Sequence, residues 1–319
     1  MPTPFSWLAD RVSVECRSLR LAALAALVAS ILIVVTGATV RVTGSGLGCE
    51  TWPYCTSDTL APTREMGLHG AIEFGNRLLT VVLCVIVGWL IIAARLQRTP
   101  TPSVTRWAWA QFWVVVLNAV IGGITVWTEL NQYVVAGHFI AAMLLVGSAT
   151  VTWHRVAELD RDAPPEPRQP TLRTLGAGLF VATAVLIVLG TLVTGTGPHA
   201  GDSSDVPRMP FDWVAVSRLH AAAAILVTAL TIWAWIATRR TVLSARRRHA
   251  RILLFVVLLQ GGVGIVQVML GLPEAVIVLH LLGSALVWIG AIRFLLATRE
   301  PAGTRTPPEA SRKEVPCPR

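Results

Sequence analysis

Two stretches decide the architecture: LAALAALVASILIVVTGATV at residues 21–40 and LFVATAVLIVLGTLVTG at residues 179–195. Neither contains a charged side chain, and neither has the polar side that a helix on a soluble domain must turn to water. A helix needs about 20 mostly apolar residues to cross the hydrocarbon of a bilayer. Working outward, such runs recur at about 20–41, 70–94, 107–128, 132–153, 174–194, 214–237, 252–271 and 275–297. Charged residues make up only 14% of the chain, against roughly 25% in an ordinary soluble domain. Hydrophobic residues make up 54%, which excludes disorder of the bulk of the chain. Five cysteines in 319 residues are too sparse for a disulfide scaffold. The sequence reads as an all-α integral membrane protein with eight transmembrane helices.

The basic residues orient it. Of the 27 Lys and Arg, 22 fall on the side shared by both termini. The other side carries 5: Arg41, Arg64, Arg77, Arg208 and Arg218. Cytoplasmic loops carry the excess of Lys and Arg, so both termini are expected in the cytoplasm of a cell that holds this chain in its plasma membrane. The net charge of +9 is then topology, and no nucleic-acid partner is expected. Residues 1–18 are polar and run into an apolar stretch too long for a signal peptide, with no small-residue cleavage site, so the first span reads as a retained anchor. The chain divides into a cytoplasmic N-terminal segment (1–19), an N-terminal four-helix bundle (20–157), a charged, proline-rich cytoplasmic linker (158–173), a C-terminal four-helix bundle (174–297) and a disordered tail (298–319).

The halves look duplicated. VTGSG at 42–46 and VTGTG at 193–197 each follow the first span of a half. NAVIGGITV (118–126) matches QGGVGIVQV (260–268) at an offset of 142, and the same offset carries His138 onto His280. Four spans is an even number, so both copies enter the membrane in the same sense. They are expected as parallel repeats about a pseudo-two-fold along the membrane normal.

Histidines in hydrocarbon are costly and mark function. His138, His220 and His280 each lie five or six residues into an even-numbered span, about 8–9 Å below its start at 1.5 Å per residue. His154 and His249 sit at cytoplasmic boundaries and read as solvated or headgroup-facing. His220 and His280 together would present two neutral imidazoles to one cavity, which suits bis-imidazole ligation of haem in a four-helix bundle. A zinc site wants further Cys or carboxylate ligands, and no C-x-x-C-H occurs for covalent haem. In HGAIEFGNR (69–77), His69, Glu73 and Asn76 share one helical face. Glu73 either pairs with Arg77 four residues on or handles protons. Arg77 and Arg218 hold similar outer positions and suit haem propionates. Gly122 and Gly123 most simply permit close helix packing.

These residues resemble the haem A synthase family. The resemblance rests on V-R-V-T-G-S-G-L-G-C-x-T-W-P-x-C at 40–55, I-E-F-G-N-R at 72–77 and G-G-I-T-V at 122–126. It continues through T-G-T-G-P-H-A-G-D at 194–202, R-L-H at 218–220 and the last span with His280, in order over almost the whole chain. It implies oxidation of the C8 methyl of haem O to a formyl group, with water as oxygen source, to give haem A for cytochrome c oxidase. It implies a haem b in the second bundle on His220 and His280, haem O in the first, and the family glutamate at Glu73. Haem O synthase, oxidase assembly factors and an external electron-transfer protein are the implied partners.

The resemblance also carries the family's outer-loop cysteine pair onto Cys49 and Cys55. Their loop lies outside the cytoplasm, where disulfides persist, and five intervening residues allow a tight closed loop. Cys16, Cys84 and Cys317 are expected as free thiols. The family often has His directly before the arginine, where this chain has Asn76, a poor iron ligand. Either His138 alone holds the first-bundle iron, or His69 supplies the second ligand. His69 lies 27 residues past Val42, as His220 lies 27 past Val193. The competing functions are a bis-histidine cytochrome b in electron transfer, which needs no reactive acid, and a non-enzymatic haem carrier, which has no use for Glu73.

Overall fold

A computed structural model describes residues 12–159, 169–202, 205–239 and 245–299. It contains eight long helices: α1 (Cys16–Val42), α2 (Gly67–Arg95, entered through a 3-10 turn at Arg64–Met66), α3 (Pro102–Trp127) and α4 (Gln132–Glu158), then α5 (Pro170–Thr196), α6 (Trp213–Thr238), α7 (Ala245–Met269) and α8 (Glu274–Arg299). All eight are long and apolar enough to cross a membrane. In hydrocarbon every backbone N–H and C=O must be satisfied within the segment, and a helix does this. Among the described residues the only strand-like pairing is one bridge between Ser45 and Asp202.

The helices outrun the apolar stretches. α3 begins at Pro102 rather than near 107, and α7 at Ala245 rather than near 252. An apolar run marks the hydrocarbon, whereas the helix goes on beyond it, where Arg248 and Arg251 are exposed and Arg246 is buried, donating to the Ala297 carbonyl at 3.1 Å. Pro102 and Pro170 stand at the first turns of α3 and α5, where a missing N–H costs nothing. Asn131 and Asp212 cap α4 and α6 through the N–H groups of Tyr133 and Ala215. The linker ends inside α5, whose first turn takes up Pro170–Arg173. Residues 160–168 of the linker and 300–319 of the tail lie outside the described residues.

The first four helices pack in a ring, each touching the next and α4 closing on α1. The last four pack in the same order, with α8 closing on α5. The turns at the outer ends of α3 and α7 share one backbone path. Glu129 and Leu130 have φ of 51° and 60°, and Gly271 and Leu272 have 73° and 66°. In each turn the second leucine donates its N–H five residues back at 2.9 Å, Leu130 to Thr125 and Leu272 to Gln267.

The rings meet along α1, α4, α5 and α8. Trp288 of α8 donates to the Met143 carbonyl at 2.9 Å, stacks on Phe180 with centroids 4.9 Å apart, and lies against Gly147. Within the first ring, α1 buries Ala22, Ala23, Ala26 and Ala29; such small residues let backbones approach where lipid offers no hydrophobic drive. At the outer rim Arg41 ties the halves together. It donates to the carbonyls of Thr194 and His199, both at 3.1 Å, and to Gln132 Oε1 at 2.6 Å. Gly46 N–H donates to the Gly201 carbonyl at 2.7 Å beside it.

Candidate functional site

The outer end of the first ring is closed by the loop after α1. Cys49 and Cys55 form the expected disulfide, and both are fully buried. Cys84 is a free thiol as expected, but Cys16 is not free; Cys317 lies outside the described residues. The loop is clamped from α2. Buried Glu73 accepts the Cys49 N–H through Oε2 at 2.7 Å, and its Oε1 takes Arg77 Nε at 3.1 Å and Arg77 Nη2. The second terminal nitrogen of Arg77 donates to the carbonyls of Thr51 and Tyr54, both at 3.0 Å. The i,i+4 ion pair that the spacing allowed is therefore formed, and it is tied into the disulfide loop as well.

Trp52, at the middle of that loop, reaches α3. A Cβ built on Gly123 would come within 2.7 Å of its indole, and Trp52 meets Trp127 edge-on at 5.7 Å. The neighbouring Gly122 faces His138, whose Cε1 would lie 3.2 Å from a Cβ there. The two glycines thus receive an indole and an imidazole, where close helix packing was expected of them.

The other first-ring candidates diverge. His69 sits in the first turn of α2, exposed, with Nδ1 3.0 Å from the Ser45 hydroxyl, which is itself 2.8 Å from Thr43 Oγ1. Asn76 turns to α1, its Oδ1 accepting from Thr36 at 2.7 Å. In α3, Gln111 is fully buried, and both ends of its amide lack a hydrogen-bond partner.

In the second ring His220 lies seven residues into α6 and His280 six into α8, about 9–10 Å from the helix starts. His138 is likewise six residues into α4. His220 Cε1 would lie 3.3 Å from a Cβ on Gly190, and His280 Cε1 3.2 Å from one on Gly264. Nδ1 of both is buried without a hydrogen bond, as are Ser217 Oγ and the side-chain carbonyls of Gln260 and Gln267. Orphaned buried polar atoms are rare, and two of these five are the histidine Nδ1 atoms. Arg218, two residues before His220, is exposed.

His154 and His249 are buried, against the solvated role expected of them. They approach to 6.5 Å between α4 and α7, and they line a cavity of about 60 Å³ with Glu158, Arg248 and Arg293. The ends of two helices from different halves converge there, which spacing within one helix does not reveal. Ser45, Trp52 and the glycines under the imidazoles were also missed, because each matters through a contact made from another segment.

Fold and site together define an all-helical, multi-pass membrane protein whose intramembrane imidazoles gather at one end of two helical rings. The chain belongs to the COX15-CtaA family, described as cytochrome oxidase assembly protein, whose sequence pattern matches residues 20–292. It is similar to the heme A synthase of Symbiobacterium thermophilum, with 30% identity over 251 residues, 73% of this chain and 80% of that one. The heme A synthase of Rhizorhabdus wittichii is 27% identical over 317 residues, 81% of this chain and 89% of its own. A shorter similarity, 32% over 136 residues, covers 42% of this chain and 28% of protoheme IX farnesyltransferase 1 of Natronomonas pharaonis.

Proposed function

We propose that this chain is a haem A synthase that oxidises the C8 methyl of haem O to the formyl group of haem A for cytochrome c oxidase. Family membership and similarity to heme A synthases over most of the chain support the activity. The observation that carries the division of labour is the contrast between the rings. The second ring offers two matched imidazoles among five orphaned polar atoms. The first offers one such imidazole, His138, and a carboxylate at its outer mouth.

The second-ring residues fit a haem b. His220 and His280 supply the axial ligands, and their unpartnered Nδ1 atoms are free to donate to backbone, as iron-bound imidazoles do. When bound, haem b supplies a one-electron redox centre. The first ring takes haem O as substrate, held by His138. His69 is the second ligand in place of the poor ligand Asn76, its Nδ1 already held by the Ser45 hydroxyl. Converting a methyl to a formyl group with oxygen from water releases protons and electrons. Glu73, held at the mouth, accepts protons or orients the water, and electrons leave to an external protein. Arg77 and Arg218 are the cations at hand for propionates, Arg77 on exchanging its loop carbonyls. The family match, rather than Glu73, whose clamp would serve either, favours the enzyme over an electron-transfer cytochrome b or a haem carrier.

The rings are proposed as duplicated parallel bundles, 20–157 and 174–297, about a pseudo-two-fold along the membrane normal. Their identical neighbour order and matching left-handed turns support this. The arginine distribution supports cytoplasmic termini and an outer disulfide loop in the plasma membrane. Haem O synthase and oxidase assembly factors are the proposed partners; the farnesyltransferase similarity and the family description support the link. The test is the pigment of the purified protein. Haem b together with haem O or haem A is expected, and His220→Ala or His280→Ala should abolish the low-spin haem b spectrum. Haem b alone from cells that make haem O, or unchanged spectra in both variants, would overturn the reading.

A further inference from the structure

We propose that Gly122, Gly190 and Gly264 are positioning residues, each a shelf that fixes the ring orientation of one iron-binding imidazole. The inference rests on the assignment of His138, His220 and His280 to haem iron. In each pair the atom nearest the missing Cβ is Cε1, at 3.2 Å for His138, 3.3 Å for His220 and 3.2 Å for His280. Cε1 lies between the two ring nitrogens. A contact there sets the direction in which both nitrogens point.

The contacts are specific to these glycines. Gly178 in α5 and Gly261 and Gly262 in α7 share a helix with a shelf and would meet nothing within 4 Å if given a Cβ. The shelves also repeat in sequence. Gly122 precedes His138 by 16 residues across the α3–α4 turn, and Gly264 precedes His280 by 16 across the α7–α8 turn. Gly190 serves His220 from α5. Counting from the VTG motifs, the position matching Gly190 is Thr39, and the one matching His220 is His69. Thr39 bonds its own helix at Val35, while Nδ1 of His69 rests on the Ser45 hydroxyl. Three imidazoles thus lie against a glycine, and the fourth meets a hydroxyl instead.

A methyl group on a shelf presses the ring at a distance tighter than nine in ten real Cβ contacts. The ring must turn or shift by a few tenths of an ångström, which changes its alignment with the iron orbitals and so the g-values of a low-spin haem. The experiment uses full-length protein purified with its haem. Haem content comes from the pyridine haemochrome, and ligand geometry from EPR. Gly190→Ala and Gly264→Ala should each keep haem b yet shift its highest-g feature, with Gly262→Ala as the unchanged control. Gly122→Ala should leave the haem b signal alone and lower the amount of haem O that co-purifies. Wild-type g-values in both second-ring variants would overturn the shelves, while a low-spin signal lost in His280→Ala would leave the ligand assignment standing. A wild-type spectrum in His280→Ala would overturn the assignment and the shelves with it.

Discussion

Replacing Glu73 with Gln separates a proton acceptor from a loop clamp. The carboxylate oxygens meet three donors, the Cys49 N–H and two N–H groups of Arg77. An amide has one carbonyl oxygen, so either Cys49 or the guanidinium must face an NH2 group. A hydrogen bond to a charged group contributes about 1.5–3 kcal/mol, and losing one shifts the loop toward its open state by roughly ten- to hundred-fold. Losing a positioned proton acceptor costs about 10²–10⁴-fold in rate. Arg77→Gln gives the comparison: it loosens the same clamp, including the bonds to Thr51 and Tyr54, and keeps the carboxylate. Glu73→Gln should therefore retain haem b, cut haem A formation by about 10²–10⁴-fold and accumulate haem O or the hydroxylated intermediate. Arg77→Gln breaks several of these bonds and should fall by roughly ten- to hundred-fold, short of the upper end expected for Glu73→Gln. Chromatography of haems extracted from membranes reads both. Equal losses in the two variants, or normal haem A from Glu73→Gln, would refute the acceptor role and leave Glu73 as the clamp alone.

His138→Ala should abolish haem A formation, and His69→Ala should do the same if His69 is the second ligand; near-normal haem A from His69→Ala in the same extraction would refute that ligand. Cys55→Ser opens a short loop whose closure contributes about 2 kcal/mol, so the solubilised protein should melt only a few degrees lower, with Trp52 held by its α3 contacts; a collapse of the thermal transition would show that the bridge holds the whole ring. Gln111→Leu removes an amide orphaned at both ends, where matched position Leu253 is leucine and equally buried. Unsatisfied polar groups in hydrocarbon cost several kcal/mol each, so this variant should raise the melting temperature, and a lowered one would mean that a bound polar group satisfies the amide.

Which of these features the sequence discloses follows from the range of the forces involved. Eight spans are legible because hydrophobicity is summed over some twenty neighbours. Their ends are not, since Arg246–Arg251 stay helical beyond the hydrocarbon. The Glu73–Arg77 pair is legible at i,i+4. The Cys49 N–H that completes it comes from 24 residues away, and no local pattern announces it. The left-handed pairs at 129–130 and 271–272 contain one glycine among four residues, so residue type alone would not have found them. The histidines stand out as polar groups in apolar runs. Their glycine shelves are silent until the helices pack, although the spacing of 16 was present twice in the chain.

The stitch at Arg41 has a consequence for where the protein can work. Every acceptor it uses is neutral: two backbone carbonyls and a glutamine amide. An arginine keeps its proton throughout the range of proteins, and none of its partners takes one up. These three bonds therefore involve no carboxylate for acid to neutralise. Acid that protonates exposed carboxylates would leave the bonds of Arg41 across the two rings intact.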